Sequence, residues 1–309
     1  MHIYGGRVEA VGKSYAAGIG GGRYGSLYSV EICGGEVHAQ GGRWGAGIGF
    51  GCNDGDNPTG LDATITISGG KVEATGGAYG AGIGGGQNGH GANVTIYGGT
   101  VNAQGGEDAA GIGSGEQTSW TIDGGSLTVE GGSVTARGGN HGAGIGGGQD
   151  ASGASVTVKG GTVNAYGGTD AAGIGSGERY DADSLNGGSL NVSGGYVFAD
   201  GSGYGSGIGG GEDADGARVE IHGGTVVAWC GDGNNAAAIG SNLSGTEHQG
   251  SLNIDDGLMV HAGDNPGSTS LSKAGFRVSD CWYHRYARVE PCDSHEYVDG
   301  KCKWCGHPE

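Results

Sequence analysis

Ala92-Asn-Val94-Thr-Ile96-Tyr-Gly-Gly99, Thr100-Val101-Asn-Ala103-Gln-Gly-Gly106 and Glu107-Asp108-Ala-Ala110-Gly-Ile112-Gly-Ser-Gly115 follow one another without a break. The first two pieces alternate apolar and polar residues with period two and stop at Gly-Gly. That pattern is a half-buried strand closed by a sharp turn. Val94, Ile96, Val101, Ala103, Ala110 and Ile112 are expected to point inward, and Thr95, Tyr97, Thr100, Asn102 and Gln104 outward. Three such pieces make one coil of a three-sided tube.

The rest of the chain repeats this coil. The isoleucine of Gly-Ile-Gly, or a near copy, recurs at Ile19, Ile48, Ile83, Ile112, Ile145, Ile174, Ile208 and Ile239, with gaps of 29, 35, 29, 33, 29, 34 and 31 residues. A fixed period of this size marks a solenoid whose units bury their apolar faces only against each other. The spacing predicts an all-β, right-handed parallel β-helix, with handedness following the rule for parallel crossovers. Eight to nine coils rising about 4.8 Å each give a rod roughly 40 Å long. The predicted organisation is a β-helix over 1–262, a C-terminal cap over 263–290 that includes the aromatic run Phe276–Tyr286, and a small Cys/His knuckle over 291–309. The chain starts inside a repeat, at Met1-His-Ile-Tyr-Gly-Gly, and reads as a piece of a longer protein whose further domains are missing.

Gly and Pro supply 80 and 4 of the 309 residues, but the spacing is not Gly-X-Y, which excludes collagen. The formal net charge of −18 argues against a nucleic-acid partner and against anionic membranes. No apolar run reaches the roughly 20 residues that span a bilayer. On these repeats the chain resembles the glycine-rich β-helix regions of secreted and surface proteins of gut Firmicutes. More broadly it is similar to pectate-lyase-like solenoids. The resemblance covers residues 1–262 and implies secretion or display on the cell surface, with a polysaccharide or glycan as partner. It is specific for fold rather than for activity, because that superfamily holds lyases, hydrolases and binding modules.

Where coils differ, function has room. Four residues before each isoleucine stand Tyr15, Trp44, Tyr79, Asp108, His141, Asp170, Tyr204 and Asn235. Just past each isoleucine stand Arg23, Cys52, Gln87, Glu116, Gln149, Glu178, Glu212 and Asn242. Stacking makes each set a column. Asp108 and Asp170, two coils apart, fall about 10 Å from each other, near the 6.5–9.5 Å of an inverting glycosidase pair. His141 lies between them, with Glu116 and Glu178 as a second carboxylate pair. The plainer reading is that Asp favours turns and that duplication copied it: Tyr79 and His141, Asp108 and Asp170, and Glu116 and Glu178 are all 62 residues apart.

The long gaps imply loops on every second coil. They carry Asp54 and Asp56, then Trp120, then Arg179, Tyr180, Asp181 and Asp183. Trp44, Tyr79, Trp120, Arg179, Tyr180 and Tyr204 are the residues expected at a sugar. The loop aspartates offer hard oxygens for Ca²⁺, although a solvated acidic loop is the simpler reading. A further strip on the second strand holds Tyr166, Phe198 and Trp229 beside Arg137.

Cys292-x2-His295-x6-Cys302-x2-Cys305 has the spacing of a Cys₃His zinc site. Similar tails in Firmicutes surface proteins resemble zinc-ribbon or knuckle modules. A segment this short needs metal or disulfides to fold. Structural zinc is the expectation and disulfides the alternative. Taken together, the residues point to an extracellular glycoside hydrolase using carboxylates of neighbouring coils, with a polysaccharide lyase as a lesser option. The alternative is a non-catalytic glycan-binding or adhesive repeat region.

Overall fold

Alternation, Gly-Gly corners and the isoleucine ladder are realised together. The computed structural model describes residues 1–25, 29–53, 63–118, 122–182, 184–231, 236–242, 248–267, 270–271, 279–282 and 284–309. Strands such as Asn93–Ile96, Thr100–Gln104 and Ile112–Gly113 each stack on the same strand of the next coil and build three sheets. The fold is an all-β parallel solenoid of about eight turns. Val94 pairs with Ile65 and Leu127, Val101 with Val72 and Val134, and Ile112 with Ile83 and Ile145. All the residues expected to face inward in this coil are buried.

The third side is thin. Each coil gives it only two ladder residues, so the isoleucine carries the apolar contact and the glycine after it lets the coils close up. Gly113 and Gly146 hold φ of 146° and 138°, which L side chains rarely adopt. A Cβ on Gly146 would run into the carbonyl oxygen of Gly175 in the next coil.

Parallel stacking ends before the chain does. The strand Leu258–Gly263, placed by sequence in the last coil, does not stack on Thr225–Cys230. Tyr286–Pro291 inserts between them and pairs antiparallel with both. A single turn of helix, Ser279–Trp282, lies against the final isoleucine strand, with Cys281 fully buried among the core residues. An antiparallel insert removes the open parallel edge that the last coil would otherwise present. The aromatic run expected to cap this end falls partly outside the described residues, at 276–278 and 283. Among the described residues no helix is long and apolar enough to cross a membrane.

Candidate functional site

Each described residue of the first column occupies the third position of a tight turn. The Ala109 N–H donates to Gly106 O at 3.3 Å around Asp108, and Gly142 N–H to Gly139 O at 3.2 Å around His141. The second column lies alongside, displaced by one coil. The N–H groups of Gln149, Glu178 and Glu212 donate to the carbonyls of Asp108, His141 and Asp170 at 2.8, 3.0 and 2.7 Å. Side chains from three successive coils therefore converge on one patch.

His141 is its centre. Its Nδ1 lies 2.9 Å from Asp108 Oδ1 and 3.6 Å from Glu178 Oε2, and its Nε2 lies 3.7 Å from Asp170 Oδ2. Gln149 Nε2 holds Glu178 Oε2 at 2.9 Å, and one pair of coils earlier Gln87 Nε2 holds Glu116 Oε2 at 2.7 Å. Burial raises the carboxyl pKa of Asp108 and Asp170 and outweighs the pull of His141. Burial also raises that of Glu116 against the Gln87 hydrogen bond, and that of Glu212 with Asp170 and Glu178 adding repulsion. The coil spacing does bring Asp108 and Asp170 to one patch. The imidazole stands between them, where an inverting pair needs its water.

The other end of the column is aromatic, but its rings face one another. Tyr15 and Trp44 stack with centroids 4.5 Å apart, Trp44 and Tyr79 at 6.4 Å, and the Arg43 guanidinium lies over Trp44 and Tyr79 at 4.9 and 5.4 Å. Trp44 and Tyr79 were expected as sugar platforms; in the structure Trp44 is stacked between Tyr15 and Tyr79, and Tyr79 ends the aromatic ladder. Tyr204 is exposed. Tyr180 is also exposed, on a loop tied down by Asp150, whose Oδ1 accepts the N–H groups of Tyr180, Asp181 and Ala182 at 2.7 to 3.0 Å. The Arg179 N–H donates to Glu212 O at 3.0 Å. Trp120, Asn235, Asp54, Asp56 and Asp183 lie outside the described residues. Asp181 belongs to no cluster of metal-ligating groups among the described residues, which leaves Ca²⁺ without support there.

The outward face of the second sheet, where the sequence placed an aromatic strip beside Arg137, carries shallow depressions that the strip did not mark. A shallow depression of about 530 Å³ is lined by Glu73, Thr75, Asn102, Gln104, Thr135 and Arg137 among others. A second, of about 280 Å³, shares Glu73 and Thr75 and continues to Glu9, His38 and Gln40. The two adjoin at Glu73 and Thr75 and together touch five coils. Register explains the lining: Thr75, Gln104 and Arg137 are direct neighbours in one row, which Tyr166 continues beyond the depression. Arg137 lies over the Tyr166 ring at 3.9 Å. Tyr166, Phe198 and Trp229 do not form a single row, because Tyr166 pairs with Asp200 and Phe198 with Asn164. The period-two pattern already named the outward residues; nothing in it marks a depression.

In the tail, Cys292, His295, Cys302 and Cys305 bring their ligand atoms within 4.8 Å of one another. Cys292 Sγ is 3.9 Å from Cys302 Sγ and 3.7 Å from His295 Nδ1, and Cys305 Sγ is 3.5 Å from His295 Nδ1. Four ligands at tetrahedral angles, with metal–sulfur bonds of about 2.3 Å and metal–nitrogen bonds of about 2.0 Å, leave edges of about 3.5–3.8 Å. The four residues therefore fit a tetrahedral metal ion. The tail sulfurs stand apart rather than bonded to one another, with Cys292 Sγ and Cys302 Sγ 3.9 Å apart, the separation of metal ligands rather than of a disulfide. The cluster is seated on the end of the solenoid: the Gly257 N–H donates to Cys305 O at 2.9 Å, and the Cys292 N–H to Gly257 O at 3.0 Å.

No curated protein and no solved structure matches the chain. A family model described as Beta helix repeat matches residues 2–23, 30–49, 65–87, 94–116, 127–149, 156–178, 190–212 and 219–243, one segment per coil. These segments make up more than half of the sequence and coincide with the stacked strands, and the chain belongs to the Beta helix repeat family.

Proposed function

We propose that this is a secreted or surface-displayed module that binds a polysaccharide or host glycan along the outward face of its second sheet. Two adjoining polar depressions that together touch five coils carry this reading. A linear polymer needs a long, open, polar track, and the coils supply one outward side chain per row about every 4.8 Å. Glu73, Asn102, Gln104 and Thr135 offer donors and acceptors for hydroxyls. Arg137 and Tyr166 close the track with a charged, aromatic end. The test is affinity electrophoresis against plant polysaccharides and mucin-type glycans. The parent is expected to be retarded by at least one polymer, and Arg137→Ala or Gln104→Ala to weaken binding roughly 5- to 30-fold, the effect of about 1–2 kcal/mol from a hydrogen bond to a charged or neutral group. Retardation by none of them, or variants as tightly bound as the parent, would count against this face.

A second reading, glycoside hydrolysis, is favoured by the raised carboxyl pKa values of Asp108 and Asp170, since a general acid must stay protonated near neutral pH. The same polymers decide it: sugars released by the parent and lost in Asp108→Asn and Asp170→Asn would select the enzyme. For the tail we propose zinc. Three sulfurs and one imidazole at tetrahedral edge lengths suit that ion, and four protein ligands leave no open position, which makes the site structural.

A further inference from the structure

From the His141 patch we infer that His141, Asp170 and Glu178 form a second metal site, for a divalent transition ion, on the side of the solenoid. One ligand atom from each of the three lies within 4.8 Å of the other two. A nitrogen and an oxygen each about 2.0–2.2 Å from one ion at tetrahedral angles are about 3.4 Å apart. Nε2 of His141 and Oδ2 of Asp170, 3.7 Å apart, are too far for a good hydrogen bond and close to that separation.

The surroundings are those of a ligating histidine. Asp108 Oδ1 lies 2.9 Å from Nδ1 and selects the tautomer that carries its proton there. That leaves the Nε2 lone pair aimed towards Asp170, the carboxylate–histidine–metal arrangement in which the outer carboxylate fixes the tautomer and strengthens the ligand. Gln149 Nε2 fixes Glu178 Oε2 at 2.9 Å, so that carboxylate is oriented before any ion arrives; this oxygen lies 3.6 Å from His141 Nδ1, so Glu178 reaches the ion beside the ring rather than in line with Nε2. The side chain of His141 is about one-third exposed, which gives an ion entry and room for water to complete its coordination. An imidazole with two carboxylates suits Zn²⁺, Co²⁺ or Mn²⁺ better than Ca²⁺, which takes oxygen ligands.

The chain carries its own control. One pair of coils earlier, Asp108, Glu116 and Gln87 occupy the places of Asp170, Glu178 and Gln149, and Tyr79 replaces the histidine. Gln87 still holds Glu116 at 2.7 Å. The coil tolerates tyrosine there, so His141→Tyr removes the ligand with a residue the scaffold already accommodates.

Co²⁺ is the probe, titrated into the full chain by equilibrium dialysis with absorption spectra recorded. Sulfur-ligated Co²⁺ absorbs strongly by charge transfer, whereas Co²⁺ held by nitrogen and oxygen does not, so the tail and this patch are told apart. Two ions per chain are expected, one of them without the charge-transfer band. His141→Tyr and Glu178→Gln should each lose that second ion and keep the first. Asp108→Asn, altering a positioning residue, should weaken it about 10- to 100-fold. A parent that binds the sulfur-ligated ion alone would overturn the assignment, as would His141→Tyr and Glu178→Gln variants that both keep the second ion at parental affinity.

Discussion

Gly146→Ala is expected to destabilise the solenoid by about 2–5 kcal/mol, the sum of left-handed backbone strain and overpacking. The glycine sits at φ 138° in the Gly-Ile-Gly wall, and a methyl group there meets the Gly175 carbonyl oxygen, a backbone atom that cannot move without shifting the next coil. Repeat arrays lose stability locally before they lose it globally. The effect should therefore show first as faster amide exchange at Ile145, Ile174 and their neighbours, whose N–H groups bond across the coils at 3.0 Å. Gly5→Ala is the control, because its added carbon would meet nothing within 4 Å and it needs no unusual φ. That variant should stay within about 0.5 kcal/mol of the parent. Equal melting of the two variants would mean that the third wall is looser than its geometry implies.

Chelating the zinc proposed for the tail should have the other large effect. Structural zinc contributes about 10–16 kcal/mol of binding free energy that is spent on folding. Residues 292–309 have little else: the cluster of Cys292, Cys302 and Cys305 packs only against Met259 and Trp304 among the described hydrophobics. Chelation is expected to abolish exchange protection at the two-stranded hairpin Tyr297–Val298 and Lys301–Cys302. It should also loosen Leu258–Gly263, whose neighbouring Gly257 is tied to Cys292 and Cys305 by backbone bonds. Coils before residue 230 should be unchanged, because their contacts are local. Exchange profiles identical with and without chelator would show that the tail holds itself without metal.

The solenoid was legible because its signals are periodic. Period-two alternation, Gly-Gly corners and the isoleucine spacing each fix a register, and all three agree on the same coil. The two columns followed from that register, and so did the meeting of Asp108, His141 and Asp170. What did not follow was the direction of side chains within a column. Spacing places Tyr15, Trp44 and Tyr79 one above another, and that same proximity turns their faces inward on each other rather than towards a ligand. The antiparallel insertion of Tyr286–Pro291 broke a rule the sequence had kept for eight coils, and no repeat announces where repetition stops. The Cys/His tail was readable for the opposite reason, since metal ligands impose their own spacing whatever the surrounding fold.

Where a glycan touches the rod tests the proposed function most directly. Amide exchange and side-chain footprinting, with and without the polysaccharide that retards the protein most, should show protection along Glu73–Thr75, Asn102–Gln104, Thr135–Arg137 and Tyr166, in a continuous track over neighbouring coils. Protection confined to Asp108, His141, Asp170 and Glu178, with the second sheet unchanged, would contradict it and move the binding surface to the His141 patch.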